Sequence, residues 1–244
     1  MSKVKTIIAL VIFLSALGVI AYFFLHPVAA DHHIKKQVEG TDLLKLHEKY
    51  PDVIGWIKVE GTNINYPVMI GEQYLYRTMK GEYDASGTPF VEDDWSSQDR
   101  VTIVYGHNMW AHKTMFNALH KFEEEKFFRE NKDIIFYAIC GDETPYVEKR
   151  LFEATHCILT DVSQWNYSET QYIEDDIELK AFLEECGEKS LYESELYPIP
   201  EKMILLSTCS YHISGRDGRT VITGKFVSMS EDSIIPKTKT KKKE

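Results

Sequence analysis

The first pattern along the chain is an uninterrupted apolar stretch, Ile7 to Leu25 (IIALVIFLSALGVIAYFFL), preceded by Lys3 and Lys5. At ~1.5 Å rise per residue a helix of this length spans roughly 28 Å, close to the hydrocarbon thickness of a bilayer. The stretch exceeds the ~7–15-residue apolar region of a cleavable signal and reads as an uncleaved single-pass anchor. Cleavage after Val28-Ala29-Ala30 is the competing expectation. Positive charge before the stretch predicts a cytoplasmic N-terminus (1–6), a membrane segment (7–25), a polar linker (26–40), an exported domain (41–230) and a polar basic tail (231–244).

Beyond the linker the periodicity changes. Thr41-Asp42 precedes LLKLHEKY, which Pro51 ends, a short capped helix. VIGWIKVEGTNINYPVMI alternates β-branched and aromatic residues about a Gly-Thr-Asn turn and predicts two strands. Thr88–Val91 and the compact run Arg100–Tyr105 predict two more, with Asp93-Asp94-Trp95 in the loop between them. Thr114 can cap a helix through MFNALHKF and on through EEEKFFREN, with Met115, Phe116, Leu119 and Phe122 on one face. Strands follow at Asp133–Ile139 and Tyr146–His156. Ser168–Cys186 is the strongest helical pattern, with Tyr172, Ile173, Ile177, Leu179, Phe182 and Leu183 on its apolar face and Gly187 after its end. Met203–Thr208 and Thr220–Met229 complete about eight strands. Short strands at close spacing predict a mainly β domain, a closed barrel with helical decorations.

Composition narrows the function classes. Apolar residues are 43% and aromatics 12%, which suits one packed domain. The net charge of −10 argues against non-specific nucleic-acid binding. The one dense basic run, Lys237 to Lys243, reads as a solvated tail. Export permits disulfides among Cys140, Cys157, Cys186 and Cys209. However, Cys140 and Cys157 are not symmetric about the turn between their strands, so free thiols are expected.

Cys209 ends the apolar run ILLSTC and opens the polar loop SYHISGRDGR. His107 follows VTIVYG in the same way, and Arg219 opens TVITGKFV. Three reactive side chains at strand–loop junctions make a self-sufficient set for acyl transfer. The thiolate attacks, the imidazole moves the proton, and the rigid, permanently charged guanidinium steadies the oxyanion. The set needs no metal or other cofactor. Arg216 competes with Arg219 for the last role.

The strings YGHNM (Tyr105–Met109) and TMFNAL (Thr114–Leu119) resemble the histidine segment of sortases. LSTCSY (Leu206–Tyr211), with Arg219 beyond it, resembles their cysteine–arginine segment. GWIKVEGTNINYPVM (Gly55–Met69), Tyr74-Leu75 and SGTPF (Ser86–Phe90) resemble their early strands. The resemblance covers about residues 50–229 and is strongest to class B. It implies a closed eight-stranded sortase-like β-barrel with an N-terminal helix and a long helix before the last strand pair. It also implies a membrane-anchored cysteine transpeptidase facing outward, with His107, Cys209 and Arg219 catalytic and Ser207, Thr208 and Tyr105 binding substrate. Its partners would be secreted proteins bearing an LPXTG- or NPQTN-like C-terminal sorting signal. The acceptor would be an amine of a peptidoglycan precursor or cross-bridge, or a pilin lysine in the alternative role of pilin polymerase.

Three rival readings are weaker. A metal site built from His107, His112, Asp94 and His120 lacks the HExxH spacing that puts two histidines on one helix face. Papain-like proteases place cysteine before histidine, the reverse of the order here. A non-catalytic surface binding module has no need of the intact trio.

Overall fold

The protein is described from a computed structural model that covers residues 3–38, 40–193 and 197–237. The elements in chain order are α1 (Lys3–Val38), α2 (Leu43–Lys49), β1 (Val53–Val59), β2 (Asn65–Ile70), β3 (Phe90–Val91), β4 (Val101–Tyr105), β5 (Asn108–Met109) and β6 (Thr114–Met115). There follow α3 (Glu125–Glu130), β7 (Asp133–Cys140), β8 (Tyr146–Asp161), α4 (Asp176–Lys189), β9 (Met203–Cys209), α5 (Tyr211–Ser214) and β10 (Gly218–Glu231). 3-10 helices occupy Glu72–Tyr76, Phe116–Glu123 and Tyr167–Tyr172.

Helix α1 runs unbroken through much of the expected linker. Its described side chains, residues 6–22 and Val38, are exposed except for Val38. The side chains of residues 23–37, which include the end of the expected membrane segment and Ala30, are not described, and residues 1–2 and the basic tail from 238 lie outside the described residues. Among the described residues, no helix is long and apolar enough to cross a membrane.

Eight strands close into a barrel in the order β1-β2-β3-β4-β9-β10-β8-β7. The β2–β3 and β4–β9 pairs are parallel and the others antiparallel. One apolar cluster draws on every strand, through residues such as Ile57, Val68, Val91, Val104, Phe136, Phe152, Leu206 and Ile222, and so fills the barrel. A second cluster seats α2 against Trp56 and Tyr137. A third packs Trp165, Leu179 and Phe182 against Ile103, Leu205 and Val221. Strand β9 shows why its sequence is an unbroken apolar run: Ile204 and Leu206 belong to the barrel interior, while Met203 and Leu205 belong to the outer cluster. A strand buried on both faces has no polar side to alternate.

Two predicted helices take other forms. Thr114 does not cap a helix, since Thr114 and Met115 pair with Met109 and Asn108 in a small hairpin. The Thr114 hydroxyl has no partner among the described residues. The buried run Phe116, Leu119, Phe122 has a strict three-residue spacing. That spacing stacks on one face of a 3-10 helix, whose side chains eclipse every third residue, and the segment adopts that form. The pattern read as one helix over 168–186 is divided. A 3-10 turn ends at Tyr172, and α4 begins at Asp176 because the Asp175 carboxylate accepts from the amides of Ile177 and Glu178. Tyr172 and Ile177 are therefore exposed, and the buried face is Leu179, Phe182 and Cys186. The α2 cap is as expected, with Asp42 accepting from the Leu44 amide.

Candidate active site

The site follows from strand register. Strands β4 and β9 run parallel with Tyr105 beside Ser207. The pairing continues past β4, because Gly106 N–H donates to the Ser207 carbonyl at 3.1 Å and the Thr208 hydroxyl donates to the Gly106 carbonyl at 2.8 Å. His107 follows Gly106 directly, and its carbonyl accepts from the Phe116 amide. On the other side of β9, Cys209 pairs with Arg219 of β10. Cysteine and arginine are thus strand partners, and the histidine, two residues past the end of β4, lines the same cleft as both.

Ser207, the partner of Tyr105, lies two residues before Cys209 and on the same face of the sheet, since side chains alternate with period two. All six candidate residues border one cleft of about 660 Å³. Glu72, Leu75, Tyr76, Glu92, Val162, Trp165–Ser168, Tyr211 and Arg216 also line it. Thr208, between Ser207 and Cys209, is buried; its hydroxyl is taken by Gly106. The Ser207 hydroxyl is likewise held, 2.6 Å from that of Tyr167. These two side chains brace the floor of the cleft. The buried Tyr105 hydroxyl faces the Glu92 carboxylate without a close hydrogen bond.

His107 is half-buried, its ring centroid 5.3 Å from that of Tyr76. Burial lowers its pKa below the ordinary imidazole value, and the Leu75 backbone carbonyl partly offsets this. The ring at rest therefore favours the neutral form. Its Nε2 is buried and has no hydrogen-bond partner among the described residues. Cys209 is half-buried, and all four cysteines are free thiols. Arg219 Nη1 donates to the carbonyls of Arg216 at 2.6 Å and Gly218 at 3.0 Å, and the guanidinium also meets the Tyr167 hydroxyl. Arg216 itself is exposed and supplies a carbonyl that orients Arg219. The backbone beside Cys209 is engaged, because the Ser210 amide donates to the Gly218 carbonyl at 2.8 Å.

Behind the sulfur, Asn108 donates to the Cys209 carbonyl at 2.8 Å and approaches His120 Nε2 at 2.8 Å. Asn117 in turn donates to Asn108 Oδ1. Sequence reasoning gave no role to Asn108, Tyr76 or Tyr167. Asn108 lay inside a recognised motif, whereas nothing near Tyr76 or Tyr167 in sequence points to the cleft.

A thiol beside a fixed cation, sharing one open cleft with an imidazole, is equipped for acyl transfer. Comparison with known proteins gives the same class. Sortase B of Staphylococcus aureus (strain NCTC 8325 / PS 47) is 28% identical over 204 residues, covering 81% of this chain and 78% of the relative. The X-ray structure of Clostridium perfringens sortase B superposes with a TM-score of 0.66 at 28% identity, over 76% of this chain and 99% of that one. The chain is most like the class B sortases. Spy0129, a Streptococcus pyogenes class B sortase involved in pilus biogenesis, aligns with a TM-score of 0.63 at 27% identity, over 75% of this chain and 96% of that one. No protein-family model matches the chain. This sortase is a cysteine transpeptidase of the cell-wall sorting kind, built on the closed barrel that its strand pattern predicts.

Proposed function

We propose that this sortase cleaves an LPXTG- or NPQTN-like sorting signal near the C-terminus of secreted proteins, with Cys209 as nucleophile, His107 as proton carrier and Arg219 as oxyanion donor. The observation that carries the reading is the one cleft that these three side chains line, with Cys209 and Arg219 paired across β9 and β10. Because His107 rests neutral, it begins as a base and takes the Cys209 proton as sulfur attacks the carbonyl carbon of the signal's threonine. The C–S bond forms, and negative charge gathers on the oxygen facing the Arg219 fork. The C–N bond then breaks and the leaving amine takes the proton from imidazolium, leaving a thioester. An acceptor amine attacks the thioester, passes its proton to His107, and the proton returns to sulfur as the thiolate leaves.

Anchoring of the product to a peptidoglycan amine is the preferred outcome. Transfer to a pilin lysine is the second reading, motivated by the likeness to a class B sortase involved in pilus biogenesis. An N-terminal membrane anchor with the catalytic domain outside the cell is part of this reading, motivated by the uncharged stretch Ile7–Leu25 that follows Lys3 and Lys5 in the sequence. Incubating the full-length chain in detergent micelles with both peptide types and several amines, then weighing the products, tests the chemistry. Transpeptidation products that vanish in Cys209→Ala are expected. Cleavage of neither peptide by the intact chain would remove this substrate class.

A further inference from the structure

On the far side of Tyr211 from the catalytic cleft lies a second opening of about 750 Å³, bordered by Asn108, Trp110, His120, Glu123 and His212. Two histidines and a carboxylate converge there from separate elements. His120 and Glu123 stand one 3-10 turn apart on Phe116–Glu123, so they share an edge of that helix. His212 comes from α5, three residues after Cys209. His120 Nδ1 is 2.5 Å from Glu123 Oε1, and His212 Nε2 is 3.3 Å from Glu123 Oε2. The ligand atoms of the three residues all lie within 4.8 Å of one another. This grouping differs from the one weighed in the sequence, because only the folded chain brings His212 to His120.

We propose that His120, Glu123 and His212 form a binding site for a zinc-type divalent cation that fastens α5, the turn following Cys209, to the helix beneath it. Two imidazoles and one carboxylate suit a borderline metal such as zinc better than magnesium or calcium, which prefer all-oxygen shells. Zinc bonds of about 2.0–2.2 Å in a tetrahedron put ligand atoms roughly 3.3 Å apart. The required contraction is small, and His212, with 55% of its side chain exposed, is free to supply it. The opening leaves room for water in the fourth position. The Thr220 hydroxyl, 3.0 Å from Glu123 Oε1, orients the carboxylate from behind.

The site is linked to the nucleophile. In the metal-free arrangement His120 Nδ1–H donates to Glu123 and Nε2 accepts from Asn108, which also donates to the Cys209 carbonyl. Coordination through Nδ1 moves the ring proton to Nε2, where Asn108 must present its amide oxygen instead.

The test is calorimetric titration of the full-length chain in detergent with zinc, in a Cys209→Ala background so that the thiolate takes none. One equivalent is expected to bind. His212→Ala and Glu123→Gln should each weaken binding by at least ~10-fold, since loss of even an outer-shell partner costs that much. His212 is exposed, so its replacement leaves the fold intact, which equal melting temperatures without zinc would verify. Zinc should also slow amide exchange at residues 210–217 in the parent and not in His212→Ala. No binding by the parent, or full affinity in both variants because other histidines hold the zinc, overturns the site. Binding that leaves exchange at 210–217 unchanged overturns the fastening of α5.

Discussion

At the scale of the residue, His107 is governed by how little water reaches it. Its folded-state pKa lies below the ordinary value because the charged ring is desolvated. A base that must start neutral loses activity as pH falls through its pKa, so the acid limb of kcat/KM should sit below about 6.5. Tyr76→Ala opens one side of the ring and should move that limb upward, as a pH–rate profile can record. An unmoved limb would show that Tyr76 does not shield the imidazole. Cys209→Ala should abolish turnover and His107→Ala nearly so. Arg219→Ala should lower kcat by roughly 10²–10³, the usual worth of one oxyanion donor, with only partial recovery in Arg219→Lys, which lacks the fork. Arg216→Ala should be milder, because its backbone carbonyl, and not its side chain, holds Arg219. Peptide-cleavage kinetics that rank Arg216→Ala as the worse variant would reassign the clamp.

At the scale of the element, the link between β4 and β5 decides where His107 points. Gly106 bridges them, and a Cβ there would lie 2.6 Å from the buried Phe116 ring. Only glycine lets the β4 extension lie this close to the 3-10 helix. Gly106→Ala should therefore overpack the site, costing about 1–3 kcal/mol in urea melts. Turnover should fall further than stability because the His107 backbone shifts. Gly106→Ala with Phe116→Leu should recover part of both; failure of the pair to recover either would place the constraint elsewhere. In the same cleft, the 3-10 helix Tyr167–Tyr172 brings one hydroxyl to both Ser207 and Arg219. Tyr167 thereby couples the floor of the cleft to its cation.

At the scale of the whole molecule, the barrel contains a buried base that makes its stability depend on pH. His156 on β8 is 2% exposed, and its Nδ1 meets the Thr223 hydroxyl of β10 at 2.8 Å. Burial lowers its pKa from 6.5 to about 4. Because the folded value lies below the unfolded one, the contribution is complete above about pH 6.5. It is lost as pH falls toward 4, amounting to about 3 kcal/mol at most. Thermal melts between pH 7.5 and 4.5 should show this decline, and His156→Gln should flatten it whatever its own effect on neutral stability. An equally steep decline in His156→Gln would mean that other groups carry the acid sensitivity.

The barrel's strands were legible in the sequence because they leave local marks, and the residues proposed as reactive were chosen from marks of the same kind. Strands buried on two faces read as short apolar runs such as ILLSTC and VTIVY, and Cys209, His107 and Arg219 each sit where such a run meets polar sequence. Helical form was less legible. The three-residue spacing of Phe116, Leu119 and Phe122 also satisfies an α-helical face, and the Asp175 cap was hidden inside an apparently continuous pattern. Only the folded chain decided the rest. Parallel pairing of β4 with β9, set by barrel closure between segments far apart in the chain, brings the segment carrying His107 to the cleft that Cys209 lines. The same closure engages the hydroxyls of Ser207 and Thr208 within the floor, brings Tyr76 and Tyr167 to that cleft, and carries His212 to His120. Side-chain periodicity is a property of neighbours along the chain, whereas register and convergence depend on which distant strands pair, so no local pattern could specify them.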